Sequence, residues 1–173
     1  MPRCLQNLDA HGEYGNEIRA MELPETLVDI CEGDFLISTT NSDSEKCAKL
    51  LSGFTWDTNL ATTRVAALAV FEGVALTQVD NTTCFDNDAK VAYAKNRKGT
   101  GFQRPYEIVD DAGAAAPTTW VEGQGFTFAK NPSSNALVNN KIVKTSTANQ
   151  IVFRAVKSSG PDSQTHALVE FAN

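Results

Sequence analysis

The sequence predicts a mainly β fold, an antiparallel β-sandwich or barrel with one short helix and an extended N-terminal arm. Candidate strands recur every 10 to 15 residues, separated by turns rich in Ser, Thr, Gly, Pro and Asn, as in antiparallel sheets. Charged residues make up 21% of the 173 residues, which is sparse for a protein of long, salt-bridged helices. We expect one β-rich domain over residues 25–173, with residues 1–24 as the arm.

The arm is predicted from its composition. Residues 1–24 are polar and aperiodic, and too few of them are apolar to nucleate a core. Tyr14, Met21 and Leu23 are its candidate apolar anchors. Because such an arm has no core to join, we expect these three side chains to contact the surface of a partner.

The next hundred residues predict strands around one helix. "ETLVDICEGDFLIS" predicts two short strands around a tight turn at Gly33 and Asp34, followed by a loop over residues 39–48. "TNLATTRVAALAVF" predicts a helix within residues 58–71, with Thr58 or Asn59 as its N-cap. Gly73 is expected to end this helix, and "VALTQV" to begin a core strand.

The last third gives the clearest strand pattern. In "QTHALVEF", alternate residues from Thr165 to Phe171 are expected to face the core, and His166 the solvent. We predict that much of the core comes from these apolar residues: Val74, Leu76, Val91, Ile142, Val143, Ile151, Phe153, Val169 and Phe171. Trp120 is expected to fill the core, or alternatively to anchor a protein contact.

The charge distribution argues against nucleic acid as a partner. The net charge is −6 and the isoelectric point is near 4.9, whereas a phosphate-binding surface needs clustered Lys and Arg. Residues 90–104 are a local exception, with basic and no acidic side chains. Four of them are candidate polar contacts to a protein partner: Lys95, Arg97, Lys98 and Arg104.

The cysteines and the apolar pattern predict no metal, cofactor or membrane segment. The four cysteines, at positions 4, 31, 47 and 84, form no C-x-x-C pair, and only two histidines could assist them. We expect free thiols, with Cys31 the most buried. The first residues do not resemble a secretion signal and no run approaches about 18 apolar residues, so we expect synthesis in a cytosol.

No catalytic motif is present, and we expect no enzyme. The chain contains neither G-x-S-x-G nor H-E-x-x-H. A small β-barrel enzyme remains an alternative, and it would need a pocket at His166 or at Asp110 and Asp111.

Several short motifs, taken in order, resemble the small head decoration (cement) proteins of tailed bacteriophages. "VDICEGDFLIS" resembles that family's opening Gly-Asp-Leu-Leu hairpin, and "AALAVFEGVAL" resembles its helix ending in Phe-x-Gly-Val-Ala. "KVAYAKNRKGTGF" resembles its strand ending in a glycine-aromatic turn. The remaining matches are "CAKLLS", "NALVNNKIVKT" and "IVFRAVK".

The resemblance covers roughly residues 30–171 and implies a trimer-forming virion protein. Such a protein would bind the major capsid protein on the outside of an icosahedral shell and reinforce it. The chain departs from the family pattern at Leu50, where proline is usual, at Phe153, where glycine is common, and in the long insert "DDAGAAAPTTW". A phage tail or fibre component is the other structural alternative.

Overall fold

The computed structural model describes residues 18–23, 29–40, 44–80, 90–98 and 101–172. Within these ranges, twelve strands form two closed five-stranded barrels and a two-stranded sheet, and ten residues form one α-helix, α1. The predicted mainly β fold with one short helix is therefore confirmed, with barrels as its architecture.

The first barrel is built from the N-terminal part of the chain. Its strands follow the order β1-β4-β3-β5-β7, and β7 pairs with β1 to close it. All neighbours are antiparallel except β1 and β4, which run parallel and meet at Glu22 and Cys47. The elements of this part are β1 (Ile18–Glu22), β2 (Asp29–Ile30), β3 (Phe35–Thr40), β4 (Lys46–Leu50), α1 (Leu60–Ala69), β5 (Phe71–Ala75), β6 (Val79–Asp80) and β7 (Lys90–Lys95).

The second barrel is built from the C-terminal part. Its strands follow the order β10-β8-β12-β11-β9, and β9 pairs with β10 to close it. β10 and β8 are its parallel neighbours, and the other pairs are antiparallel. Its strands are β8 (Arg104–Ile108), β9 (Gly125–Lys130), β10 (Leu137–Lys144), β11 (Phe153–Ala155) and β12 (His166–Phe171).

The N-cap of α1 is Asn59, one of the two residues predicted for that position. Asn59 Oδ1 accepts a hydrogen bond from the Thr62 backbone N–H at 3.0 Å, and the Thr62 hydroxyl accepts one from the Asn59 N–H at 3.3 Å. This reciprocal pair satisfies two backbone donors that would otherwise lack partners at the N-terminus. The buried face of α1 carries Thr63, Arg64 and Ala67, so the predicted helix and its cap are confirmed.

A small core fills the first barrel. It contains eight buried residues, and six of them come from the five barrel strands. The members are Met21, Leu23, Ile30, Leu36, Ala48, Ala75, Val91 and Tyr93. A five-stranded barrel is narrow, so small side chains such as Ala48 and Ala75 fit where larger ones would force the strands apart.

A larger core joins the two barrels. Phe35 of β3 packs among rings from three strands of the second barrel, with centroids 5.0 Å from Tyr106, 5.6 Å from Phe128 and 5.3 Å from Phe153. Phe71 of β5 joins the same cluster. The strands β3 and β5 are therefore buried on both faces, one toward the small core and one toward the second barrel.

Most of the predicted core is confirmed. Val74, Leu76, Val91, Ile142, Phe153, Val169 and Phe171 are at most 2% exposed. Val143 and Ile151 are only partly buried, which corrects their assignment. Val143 follows the buried Ile142 on β10, and adjacent residues of a strand point to opposite faces.

The predicted arm extends too far. Residues Ile18–Glu22 form β1, and both Met21 and Leu23 are buried in the small core. This corrects the expectation that these two side chains await a partner. β1 is too short for its apolar alternation to predict a strand. It forms a barrel strand because it pairs with β7 over five positions.

Two further local predictions are wrong. Residues 39–48 were expected to form a loop, but β3 continues to Thr40 and β4 begins at Lys46, with Cys47 and Ala48 buried. Gly73 does not end the helix, which ends at Ala69; it lies within β5. There its φ is +153°, and a Cβ atom would lie 1.8 Å from the Ala94 carbonyl oxygen, so only glycine fits.

The turn at Gly33 and Asp34 is present, but the strands beside it do not pair with each other. β2 pairs with β6, whereas β3 pairs with β4 and β5. The turn is instead held by β5, through backbone hydrogen bonds of Gly33 and Asp34 with Ala75, and by the second barrel. The Tyr106 hydroxyl donates to the Gly33 carbonyl oxygen at 3.0 Å, in a buried position.

Candidate functional site

The basic segment that follows β7 contains the candidate contact residues of the first barrel. Lys95 ends the strand and is half-buried, and Arg97 and Lys98 follow it with exposed side chains. The Asn96 backbone N–H between them donates to the Glu72 carbonyl oxygen at 2.7 Å, which fixes the direction of the chain as it leaves the sheet. The exposed pair Arg97 and Lys98 can therefore present positive charge from a fixed base.

Arg104 forms an ion pair within the chain. Its Nη1 atom lies 2.8 Å from Glu32 Oε1, and its Nη2 atom donates to the Glu32 carbonyl oxygen at 3.2 Å. Arg104 and Tyr106 thus hold the turn at Gly33 against β8, forming a latch between the barrels. The Arg104 side chain is still 30% exposed, so it stays a candidate contact to a partner.

Of the three anchors expected in the arm, Tyr14 lies outside the described residues. Met21 and Leu23 are 8% and 7% exposed within the small core, so neither side chain offers a surface. The other candidate contact residues lie at positions that a partner can reach, half-buried at Lys95 and Arg104 and exposed at Arg97 and Lys98.

A cleft of about 740 Å³ opens beside this segment, between β1, β4, β5 and β7. Cationic and anionic side chains alternate around it, with Lys46 paired to Glu72 and Lys90 lying 3.5 Å from Glu22. Asn96 Oδ1 is buried at this cleft and meets no hydrogen-bond donor among the described residues. The cleft can therefore accept a hydrogen bond, and four cationic side chains and three carboxylates line it.

The residues of the enzyme alternative fall in two separate places. His166 lines a cleft of about 270 Å³, opposite Glu107 in the register of β12 and β8. Glu107 is paired with Lys141 at 2.8 Å, and the exposed His166 ring lies 3.0 Å from the Thr165 hydroxyl. His166 is exposed, and the partly buried Glu107 opposite it is already neutralised by Lys141.

Asp110 and Asp111 serve the structure. Asp110 Oδ1 accepts from the backbone N–H groups of Ala112 and Ala114 at 2.9 and 3.0 Å. Asp111 Oδ1 accepts from Arg64 Nη2 at 2.6 Å, while Arg64 Nε donates to the Phe128 carbonyl oxygen. One oxygen of each carboxylate is therefore used to hold the loop, Asp110 on its own turn and Asp111 on the helix.

The two described cysteines differ in burial. Cys31 and Cys47 are free thiols, as predicted; Cys4 and Cys84 lie outside the described residues. Cys31 is exposed and Cys47 is buried, which reverses the expected order. Desolvation, with the charges of Asp34 and Asp29, raises the pKa of the Cys31 thiol, which lowers its content of reactive thiolate.

Comparison with known proteins does not identify a related site. No protein-family model, curated protein or solved structure matches this chain. Within the described ranges, no group of three or more His, Cys, Asp or Glu side chains is arranged to hold a metal ion, and no helix is long and apolar enough to cross a bilayer.

Sequence reasoning missed the groups that organise these surfaces. Asn96, Glu72 and Tyr106 belong to strands or strand ends in which a single polar residue gives no pattern. Their roles depend on partners distant in sequence, such as the 73 positions that separate Tyr106 from Gly33. The sequence offered two signals near these groups, the glycine-aromatic turn after β7 and the basic run over residues 90–104. The basic run indicated that Arg97 and Lys98 are exposed cations.

Proposed function

We propose that the protein is a virion structural protein that binds the outside of an icosahedral phage capsid and stabilises it. The observation that carries this proposal is the ordered series of decoration-protein motifs. Those motifs fall on the scaffold: "GDFLIS" spans the latched turn and most of β3, "KVAYAK" is β7, and "FEGVA" is β5. The resemblance thus concerns the elements that build the barrels.

The physical properties of the fold support a mechanical role. The two barrels share one aromatic core and are tied by the Arg104 and Tyr106 latch, so they resist displacement as one body. Reinforcement of a shell requires a rigid body that bridges several subunits, and a homotrimer at a three-fold position would do so. The partner in this proposal is the major capsid protein.

Arg97 and Lys98 are the proposed polar contacts to the shell. Charged groups at the edge of an interface mainly steer association and fix register. Reversing both residues to glutamate should slow attachment to undecorated capsids and reduce its dependence on salt concentration. The matched control reverses Lys130 and Lys157 of the second barrel, giving the same change in net charge at a different place.

Mass spectrometry of purified virions tests the proposal directly. A copy number comparable with that of the major capsid protein supports a decoration protein. A few copies per particle would instead indicate a tail or fibre component. Absence from the virion would overturn the structural role and favour the enzyme alternative.

A further inference from the structure

The cleft of about 740 Å³ in the first barrel contains a hydrogen-bond acceptor that has no donor. Asn96 Oδ1 is buried and meets no hydrogen-bond partner among the described residues. The backbone is fixed at this position, because the Asn96 N–H donates to the Glu72 carbonyl oxygen at 2.7 Å. The carboxamide itself turns at low torsional cost, and turning it towards the cleft breaks no hydrogen bond of Oδ1. Since an unpaired buried acceptor is destabilising, this atom favours a ligand that donates a hydrogen bond to it.

Charged side chains of the same cleft occur as adjacent donors and acceptors. Lys46 Nζ is bound to Glu72, and Lys90 Nζ lies 3.5 Å from Glu22 Oε1. Neither pair uses up its groups, because an ammonium group carries several donors and a carboxylate accepts several hydrogen bonds. The Glu72 side chain is only 14% exposed, so water weakens its hydrogen bonds less than those of a surface carboxylate. A ligand in the cleft therefore meets donors and acceptors side by side.

The floor of the cleft is apolar. Met21, Phe71 and Tyr93 line it and are at most 8% exposed. Lys46 and Lys90, by contrast, are more than half exposed and form its rim. An apolar lining with a few placed polar groups is typical of sites for small molecules, which have volumes of roughly 300–1,000 Å³. The size and the lining of the cleft thus suit a ligand that has both polar groups and an apolar face.

We propose that this cleft binds a carbohydrate. A sugar hydroxyl donates and accepts hydrogen bonds through the same oxygen, so it can donate to Asn96 Oδ1 and accept from a neighbouring ammonium group. An anion has no proton for Asn96 Oδ1, and a cation would meet four cationic side chains. A peptide divides donors and acceptors between separate N–H and carbonyl groups, which suits adjacent pairs less well. The C–H face of a sugar ring matches the apolar floor. The inference does not rest on the proposed function.

The experiment is an NMR titration of the isotope-labelled full chain with glucose, galactose, mannose and N-acetylglucosamine, each added separately. At least one sugar should shift the Asn96 side-chain amide signals saturably, together with the backbone amide signals of Lys46 and Glu72. Asn96→Ala should weaken binding at least about tenfold, because it removes the carboxamide. This variant should stay folded, since the side-chain oxygen has no partner to lose. Asn140→Ala is the matched control and should leave binding unchanged, because Asn140 lines a different cleft.

The absence of a saturable shift with every one of these sugars overturns the proposal, and so does an Asn96→Ala variant that binds sugar like the wild type. A shift caused by tri-alanine and by no sugar would also overturn it, because it would indicate a peptide site. Shifts that disappear at high salt would do the same, since they would indicate attraction by charge rather than hydrogen bonds to hydroxyl groups.

The shell proposal is tested separately from the carbohydrate proposal. The variant with Arg97 and Lys98 reversed to glutamate changes no residue that lines the cleft, and it should bind sugar like the wild type. Slower attachment of that variant to capsids therefore bears on the shell contact alone, and loss of sugar binding in Asn96→Ala bears on the cleft alone.

Discussion

The first barrel is filled by eight buried residues of which one, Tyr93, is aromatic, and the second by a cluster dominated by phenylalanine. The first barrel also contributes two strands, β3 and β5, whose outer faces complete the core of the second. Charge does not distinguish the two parts: the described residues between 18 and 98 carry 8 basic and 8 acidic side chains, and residues 101–172 carry 6 and 6. The difference between the barrels therefore lies in their cores, and the second barrel provides most of the aromatic core.

This difference implies that the first barrel depends on the second. A barrel with a core of eight residues buries little apolar surface by itself. Its outward-facing Phe35 and Ile37 would be exposed without the second barrel. We therefore expect the barrels to unfold together.

Phe35→Ala should have the largest effect. Removing this ring from the joint between the barrels should lower the free energy of unfolding by about 3–5 kcal/mol. In a Trp56→Phe background, Trp120 fluorescence reports on the second barrel while circular dichroism reports on both. The two transitions should shift together. A shift in circular dichroism that leaves the Trp120 transition in place would show that the barrels are independent.

Gly73→Ala should have the second-largest effect on stability. Backbone strain at its φ of +153° and overlap with the Ala94 carbonyl should together cost about 2–4 kcal/mol. Gly160→Ala is the matched control, since Gly160 has a φ of +87° but nothing within 4 Å of the added Cβ. The difference between the two, measured by urea unfolding, isolates the close approach of β5 and β7. Equal losses would refute the steric account.

Tyr106→Phe tests the latch between the barrels. Loss of the hydroxyl leaves the buried Gly33 carbonyl oxygen without this donor and should cost about 1–3 kcal/mol. Amide hydrogen exchange should rise at the Gly33 turn. Unchanged stability and exchange would mean that the Tyr106 hydrogen bond does not hold the turn against β8.

Asp34→Asn tests the same turn through pH. Burial raises the pKa of the Asp34 carboxyl, Asp29 adds to the rise, and the hydrogen bond from Cys31 N–H and the charge of Arg104 oppose it. The native state therefore binds the proton of the Asp34 carboxyl more tightly than the unfolded chain does. This tighter binding stabilises the native state below the ordinary carboxyl pKa, and the stabilisation is lost as pH rises through the raised value. Asparagine keeps the acceptor for Cys31 and never ionises. As pH rises through that interval, the stability of Asp34→Asn should increase relative to that of the wild type. A relative stability that instead increases toward acid pH would contradict the raised pKa of Asp34.

Thr127→Val should have the smallest effect. Thr127 is fully buried in β9, and its hydroxyl meets no hydrogen-bond partner among the described residues. Replacing it with a methyl group of similar shape should leave stability unchanged or slightly raised. Thr63→Val is the control, because the Thr63 hydroxyl donates to the Asn59 carbonyl oxygen at 2.7 Å and accepts from Asp57 N–H at 3.0 Å. Thermal unfolding should show a loss for Thr63→Val alone.

The sequence by itself determined the strands whose side chains alternate, the helix and the class of fold. β12 was predictable because Ala167, Val169 and Phe171 lie two positions apart, and α1 because Asn59 and Thr62 form its cap locally. The exposed charges Arg97 and Lys98 were predictable for the same reason, since a charged run signals surface wherever it lies.

Tertiary structure alone decided which strands pair and which charged side chains pair across the barrels. β1 and β4 become strands through partners distant in sequence, and their small or sparse apolar side chains suit a narrow barrel that no local period reveals. The ion pair of Arg104 with Glu32 joins residues 72 positions apart, so no local pattern in the sequence predicts it. Local patterns record the preference of a residue for burial or exposure, whereas pairing depends on neighbours that only the closed barrels bring together.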